Sequence, residues 1–91
     1  MEIRNLHSGE APPMELLLLA DPSRKLVEEY LSRGETYVAV EDHRTVGVYV
    51  LLPTRPDTVE LVNVAVAEEL HGRGIGKSLV RHAVRTAKAR G

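Results

Sequence analysis

Hydrophobic and polar positions along the chain follow two periods, one typical of helices and one typical of strands. Apolar residues recur at helical spacing in two early segments and again near the C-terminus, whereas three central segments are rich in β-branched residues. The pattern predicts a strand at Glu2–Leu6, a helix at Pro12–Ala20, a helix from Pro22 to just before Gly34, strands at Thr36–Val40, Val46–Leu52 and Thr58–Ala67, and a helix from Gly74 onward.

Residues that favour turns and helix ends set the boundaries of these elements. Asp21 is a suitable N-cap for the second helix, with Pro22 at the first helical position and Gly34 closing it. Asp42–Arg44 is a polar turn, so the strands on either side of it are expected to form an antiparallel hairpin. Pro53–Asp57, with two prolines, is predicted to be a loop.

The order β-α-α-β-β-β-α implies an α+β fold, a mainly antiparallel sheet with flanking helices. A chain of 91 residues holds one core, so a single domain over 1–91 is predicted. Alternation in the last strand is expected to put Val62, Val64 and Val66 on one side and Leu61, Asn63 and Ala65 on the other. In the last helix the predicted apolar stripe consists of Ile75, Leu79, Val80, Ala83, Val84 and Ala87.

Composition excludes several kinds of chemistry. The absence of cysteine removes disulfides, thiolate metal sites and a Cys nucleophile. His7, His43 and His82 lack metal-ligand spacing, so no metal site is predicted and each is expected on the surface.

The longest apolar run, Leu16–Ala20, is too short to span a bilayer, and the N-terminus does not resemble a signal peptide. We therefore expect a cytoplasmic protein that is not bound to a membrane.

Charge is divided sharply along the chain. All acidic residues lie at or before Glu69, where the net charge is about −7, and the segment from His71 to Gly91 carries about +6. A basic segment on an acidic protein suggests an anionic ligand, although a solvated helix face would give the same count.

A glycine-rich loop between the last strand and the last helix carries the clearest chemical signal. Gly72, Gly74 and Gly76 leave backbone N–H groups uncovered at a helix N-terminus, where those groups and the helix dipole attract anions. Arg73 and Lys77 add positive charge beside them. The segment therefore predicts a phosphate site, most simply for a pyrophosphate.

Two common phosphate motifs do not fit this loop. The Walker A pattern has glycine where His71 stands, and only thirteen residues follow Ser78, too few for a further strand with a magnesium ligand. The dinucleotide fingerprint requires a third glycine where Lys77 stands.

The segment resembles instead the acetyl-CoA signature of the GNAT superfamily of N-acetyltransferases, [QR]-x-x-G-x-[GA] after a strand. His71-Gly72-Arg73-Gly74-Ile75-Gly76 matches at the glycine positions, Asn63-Val64-Ala65-Val66 resembles the end of the family's fourth strand, and the element order agrees. His71 departs from the usual Gln or Arg. The resemblance implies a GNAT domain truncated before strand 5, so the general-acid tyrosine is expected beyond Gly91.

The resemblance implies acetyl-CoA as cofactor, with its pantetheine arm on strand four and its pyrophosphate on loop 71–78. The implied cofactor-binding residues are Val64, Ala65, Val66, His71, Gly72, Arg73, Gly74, Ile75, Gly76, Lys77 and Ser78. Glu60, eleven residues before His71, stands where some members carry the catalytic base, although a solvent-facing glutamate explains it equally well. Asn63 is a lesser candidate for positioning a water or the substrate.

The activity implied is acetyl transfer to a primary amine of a small molecule or peptide by direct attack. The alternatives are a non-catalytic acyl-CoA-binding or regulatory module, or an inactive fragment. A nucleic-acid binder is disfavoured, because the apolar stripe requires the basic helix to pack on a sheet and aromatic residues for stacking are few. An exposed fourth strand favours self-association, for example as a homodimer.

Overall fold

The computed structural model describes residues 1–90, and Gly91, the last residue of the predicted domain, lies outside them. The predicted order of elements is confirmed. In chain order these are β1 (Glu2–Asn5), α1 (Met14–Ala20), α2 (Arg24–Arg33), β2 (Glu35–Glu41), β3 (Arg44–Arg55), β4 (Thr58–Val66), a short 3-10 helix (Glu68–Leu70) and α3 (Ile75–Ala89).

The four strands form one antiparallel sheet, as predicted, and their order in it is β1-β2-β3-β4. Strands β2, β3 and β4 are joined by two hairpins, whereas the connection from β1 to β2 contains α1 and α2. Within residues 1–90, β4 pairs only with β3 and leaves its other edge free. An edge of this kind presents unpaired N–H and C=O groups to any molecule that lies beside it.

Helices cover both faces of the sheet. The face under α1 and α2 is closed by a core that includes Leu17, Val27 and Tyr30. The opposite face is closed by α3, through Ile75 and Leu79 together with Ala83. Because strand side chains alternate between faces, the apolar residues of β3 supply both cores, which explains why this strand is almost continuously hydrophobic.

The packed stripe of α3 is narrower than predicted. Ile75, Leu79 and Ala83 are buried, but Val80 and Val84 are exposed. Val80 follows the buried Leu79 and Val84 follows the buried Ala83, so each valine lies about 100° further around the helix. They therefore lie on the flank of α3 rather than against the sheet.

A β-bulge in β4 corrects the predicted alternation. Val50 pairs with Asn63 and Leu51 pairs with Leu61, so Val62 is an extra residue with no partner of its own. Val62 packs against the core under α1 and α2, whereas the prediction grouped it with Val64 and Val66. Beyond the bulge the predicted sides are right, because Asn63 and Ala65 are buried under α1 and α2 while Val64 and Val66 pack toward α3.

The first residues of α1 and α2 both differ from the prediction. Helix α1 begins at Met14, with Pro13 at its N-cap. The N-cap of α2 is Ser23 rather than Asp21, because the Ser23 hydroxyl accepts the Leu26 N–H at 3.2 Å. The Asp21 carboxylate instead accepts the Ser23 N–H at 3.1 Å, an Asx turn that places the proline before the helix.

The second hairpin is tighter than predicted, because β3 continues through Pro53 to Arg55. Only Pro56 and Asp57 form the turn, since Arg55 pairs with Thr58. Proline within the strand is tolerated next to a register shift, where a ladder hydrogen bond is not required.

The first hairpin has the predicted turn at Asp42 and His43. Both residues have positive φ angles, 52° and 65°, which are typical of a two-residue type I′ turn. Left-handed backbone is unfavourable for a side chain such as that of His43, so this turn carries a local strain.

Gly34 ends α2 as predicted, but for a different reason. Its φ of −105° is an ordinary value, so a left-handed cap does not require glycine here. A Cβ atom at this position would lie 2.6 Å from the Leu51 carbonyl oxygen. Glycine is needed because the chain passes directly against β3.

Candidate functional site

The loop between β4 and α3 has the backbone geometry of an anion site. Gly72 and Gly74 have φ angles of 86° and 80°, and a Cβ at either position would meet no atom of the described residues within 4 Å. Gly74 is also the N-cap of α3, and no side chain caps this end of the helix. The loop thus leaves open space in front of the helix N-terminus.

The first turn of α3 presents amide groups to that space. The first helical hydrogen bond is donated by the Ser78 N–H to the Gly74 carbonyl at 3.1 Å. The N–H groups of residues 75–77 precede it, so they have no partner within the helix. Together with the positive end of the helix dipole they form a place for an anion.

A cleft of about 400 Å³ joins this helix end to the free edge of β4. Nine of the eleven predicted cofactor-binding residues line it, together with Leu70. The two that do not are Arg73 and Ser78. The Arg73 guanidinium instead lies 3.9 Å from the Glu41 carboxylate, toward the first hairpin.

The edge of β4 directs backbone groups into the cleft. The Ala67 N–H donates to the Val46 carbonyl at 2.9 Å, so Ala67 faces β3. Successive residues of a strand direct their N–H and C=O groups to opposite sides, so those of Val66 and Val64 face away from β3. An extended ligand lying along this edge would meet both donors and acceptors.

The side chain of His71 lies against this edge. Its Nε2 atom is 3.0 Å from the Val66 carbonyl oxygen. The imidazole therefore covers one of the acceptors that face away from β3.

Glu60, the predicted catalytic base, lies on β4 and is not among the residues that line the cleft. It is exposed and pairs across the sheet with Leu52, whose side chain packs toward α1 and α2. Glu60 therefore lies on the α1–α2 face. It precedes Val64 by four residues, at most about 13 Å along the strand.

Asn63, which the sequence suggested only as a lesser candidate for positioning a water or the substrate, forms buried hydrogen bonds in the structure. Its side chain is 4% exposed, and its Nδ2 atom donates to the Leu17 carbonyl at 3.0 Å and to the Tyr30 hydroxyl at 2.7 Å. Its Oδ1 atom has no hydrogen-bond partner among residues 1–90. The sequence did contain a sign of this contact. Asparagine at an inward position of a valine-rich strand indicates a buried amide, and a buried amide requires hydrogen-bond partners.

A second polar cluster lies under α3, and it corrects one expectation. His82 is half-buried rather than on the surface, with its Nδ1 atom 2.7 Å from the Tyr49 hydroxyl. Thr86 also contacts that hydroxyl, at 3.1 Å, and Tyr37 stacks on the Tyr49 ring. Burial lowers the pKa of His82 and raises that of Tyr49. His7 and His43 are exposed, as predicted.

Neither a metal centre nor a membrane span is found in the described part of the chain. Within residues 1–90, no group of three or more His, Asp or Glu side chains is arranged to hold a metal ion. None of the helices formed by these residues has the length and apolar character needed to cross a membrane.

Comparison with known proteins identifies the family. A family model described as "Acetyltransferase (GNAT) family" matches residues 2–91. The chain belongs to the GNAT family. The N-acetyltransferase YvbK of Bacillus subtilis (strain 168), described as uncharacterized, is 57% identical over 77 residues, which are 85% of this chain and 50% of that protein. The chain thus spans about half the length of this curated relative.

Solved structures of GNAT proteins have the same fold. An IAA acetyltransferase from Bacillus cereus ATCC 14579 is 55% identical, with a TM-score of 0.91, over 98% of this chain and 59% of that one. A GNAT acetyltransferase from Elizabethkingia anophelis, solved with acetyl-CoA bound, is 41% identical, with a TM-score of 0.94, over 97% of this chain and 57% of that one. The α+β fold with a mainly antiparallel sheet is therefore that of GNAT acetyltransferases.

Proposed function

We propose that this chain binds acetyl-CoA in the cleft beside β4 and takes part in transfer of the acetyl group to a primary amine. The observation that carries the proposal is the meeting of two features in one cleft, the free edge of β4 and the uncapped N-terminus of α3. The GNAT relative from Elizabethkingia anophelis was crystallised with acetyl-CoA, and one from Bacillus subtilis with CoA.

The loop and the helix end suit the pyrophosphate. The amides of loop 71–76, with Lys77 and Ser78, would hold the phosphate oxygens, because glycine at positions 72 and 74 keeps the space free of side chains. Arg73 contributes charge from outside the cleft lining. The backbone amides, Lys77 and the Ser78 hydroxyl can each donate a hydrogen bond, which is what a phosphate requires.

The edge of β4 suits the pantetheine arm. The two amide groups of the arm would pair with the outward N–H and C=O of Val64 and with the N–H of Val66, as an added strand would, with Ala65 between them, because His71 already contacts the Val66 carbonyl. This pairing would place the thioester near the bulge at Val62. The arm and the pyrophosphate would then occupy the two ends of one continuous cleft.

Acetyl-CoA supplies an acetyl group activated as a thioester. In direct attack the amine nitrogen forms a C–N bond with the acetyl carbon, the C–S bond breaks and coenzyme A leaves with its sulfur. The attacking nitrogen also loses a proton, for which we assign Glu60 as general base. The proposed role of the chain is to orient the reactants and to accept that proton.

A panel of primary amines tests this proposal. The full chain is incubated with acetyl-CoA and each amine, with free thiol release and the mass of the N-acetyl product as readouts. Product that depends on both protein and amine supports the proposal. Thiol release without an acetylated amine would contradict transfer.

The second candidate is an acyl-CoA-binding module without turnover. It is favoured by the exposed position of Glu60, which does not line the cleft. The same panel distinguishes the two functions. Acetyl-CoA binding with no acetylated product from any amine supports the module and removes the catalytic proposal for this chain.

A further inference from the structure

A second cleft, of about 360 Å³, lies between α1, the start of β3 and the segment that follows β4. Its apolar lining includes Leu16 and Leu19, and Leu19 is 51% exposed although it is a large apolar residue. Three carboxylates also line this acidic cleft, those of Glu15, Glu68 and Glu69. It shares no lining residue with the cleft proposed for acetyl-CoA, so the proposed function gives it no role.

The acidic cleft has a negative charge that its own residues do not neutralise. Glu69 is paired with Arg44, which lines the same cleft. Glu15 and Glu68 are exposed, and neither forms an ion pair with another residue among 1–90. Three glutamates and one arginine give the lining a net charge of about −2. A partner that contacts both the leucines and the carboxylates must carry apolar and basic groups side by side.

The outward side of α3 carries such groups together. Val80 and Val84 are 42% and 48% exposed. Each residue of a helix is turned by about 100° from the one before it, so the valines share an arc of about 140° with three basic residues. The three are Arg81, Arg85 and Lys88, all of them exposed and none of them in an ion pair within residues 1–90. These five residues form the basic helix face.

The acidic cleft and the basic helix face of one molecule cannot meet. Helix α1 packs on one face of the sheet and α3 packs on the other. Because α3 turns Ile75, Leu79 and Ala83 toward the sheet, its basic helix face is directed away from the sheet and from α1. The two surfaces can therefore meet only between two copies of the chain.

We propose that the basic helix face of one copy docks into the acidic cleft of a second copy, so that the chain associates head to tail. Val80 and Val84 would cover the exposed part of the cleft leucines, and the basic side chains would lie beside Glu15 and Glu68. This contact does not use the free edge of β4, so it differs from the homodimer expected from the sequence. It also does not depend on the proposed function.

The position of the two surfaces determines the kind of assembly. They face opposite sides of the sheet, so two copies cannot exchange both contacts at once. Each pair of copies leaves one acidic cleft and one basic helix face free for further copies. The association is therefore expected to continue beyond a dimer.

Sedimentation velocity of the full chain over a series of concentrations tests the inference. At an ionic strength of about 0.05 M, the average mass is expected to rise with concentration past that of a dimer. At about 0.5 M the association is expected to be about tenfold weaker, because salt screens contacts between exposed charges. A wild-type chain that stays monomeric at the lower ionic strength, or whose mass stops at that of a dimer, would overturn the inference.

Charge reversal on the two surfaces tests which residues meet. Glu15→Lys with Glu68→Lys reverses the acidic cleft, and Arg81→Glu with Arg85→Glu reverses the basic helix face. Either double variant alone is expected to associate at least about tenfold more weakly than the wild type, because like charges then meet. An equimolar mixture of the two is expected to associate again, since each reversed surface fits the reversed surface of the other variant. A mixture that does not associate would overturn the inference.

Two further variants separate this contact from general effects of charge. Glu2→Lys with Glu28→Lys changes the net charge as much as the cleft variant does, at exposed carboxylates outside the acidic cleft, and is expected to associate like the wild type. Val84→Ser changes no charge and is expected to weaken the association about fivefold. Equal weakening in the cleft variant and in its charge-matched control would contradict the proposed contact. Association that is lost in the cleft variant but kept in the helix variant would show that the cleft receives another part of the second copy, and would also overturn the inference.

Discussion

The side-chain nitrogen of Asn63 lies 2.7 Å from the hydroxyl oxygen of Tyr30 in the interior under α1 and α2. Tyr30 is 5% exposed, and the same Asn63 nitrogen also donates to the Leu17 carbonyl on α1. One amide therefore joins both helices to β4 at the residue that follows the bulge. The contact fixes the covering helices beside the part of the edge where the proposed site lies.

Removal of the Tyr30 hydroxyl should destabilise the fold. Tyr30→Phe leaves the Asn63 amide with one acceptor fewer in a buried place, so the free energy of unfolding is expected to fall by about 1–2 kcal/mol. The measurement is urea unfolding followed by circular dichroism. Tyr37→Phe, whose hydroxyl bonds the half-exposed Glu35 carboxylate, is the matched control, with an expected loss of less than about 0.5 kcal/mol. Equal losses would contradict the assigned role of the contact.

Burial of His82 should make stability depend on pH. Its folded-state pKa is lowered by burial, so the unfolded chain binds a proton more readily than the folded chain does. The stability contributed by neutral His82 is complete above the ordinary histidine pKa and is lost as the pH falls through the lowered value. The unfolding free energies of the wild type and His82→Gln should therefore become more similar as the pH falls from 7 to 5. Parallel curves would mean that His82 does not titrate in this way.

Strain in the first hairpin turn should be relieved by glycine. His43→Gly produces the Asp-Gly pair preferred in type I′ turns and removes a left-handed side chain, which costs about 1–2 kcal/mol. After the greater flexibility of unfolded glycine is subtracted, stability is expected to rise by about 0.5 kcal/mol. His7→Gly, at an exposed residue with ordinary φ, should lower it instead. A loss in both variants would contradict the turn assignment.

If Glu60 is the general base, its substitution should lower the rate of acetyl transfer without changing the affinity for acetyl-CoA. Glu60→Gln should leave acetyl-CoA affinity within about twofold and lower the rate of acetyl transfer by about 100-fold at neutral pH, because the proton acceptor is removed while the cleft lining is unchanged. Steady-state rates and calorimetric affinities measure the two effects. Glu28→Gln, at an exposed position of α2, is the control. Unchanged turnover in Glu60→Gln would remove the assignment.

The sequence predicted the order of elements because each type of period extends over a whole segment. It also predicted a glycine-rich loop between the last strand and the last helix, although it could not tell that Gly72 and Gly74, and not Gly76, have positive φ angles. Propensity could not predict the bulge at Val62, because a valine there fits either face of a sheet. The register that decides its side is set by pairing with β3, which is not a local property.

The polar contacts that the sequence did not predict also depend on the geometry of the folded chain rather than on residue type. His82 lies on a helix face between arginines, and only its packing against Tyr49 of β3 shows that it is half-buried. Similarly, Asp21 and Ser23 are both good N-caps, and the choice between them depends on hydrogen bonds two and three residues away. Helix ends of this kind are decided by backbone geometry rather than by residue type.

Binding of acetyl-CoA at the α3 N-terminus can be tested by one substitution with a matched control. Gly74→Asp places a negative charge in front of the helix amides, and Gly9→Asp makes the same change at a glycine with a similar φ of 84° outside the cleft. Gly74→Asn separates charge from shape, because asparagine also tolerates left-handed backbone.

The most direct measurement is calorimetric titration of these chains with acetyl-CoA, with ATP and magnesium as the comparison ligand. The account predicts preferential binding of acetyl-CoA by the wild type and Gly9→Asp, and an affinity roughly 100-fold lower in Gly74→Asp, which corresponds to about 3 kcal/mol. Gly74→Asn should lie between them. Wild-type affinity in Gly74→Asp, or no preference for acetyl-CoA over ATP, would contradict the assignment of the cleft.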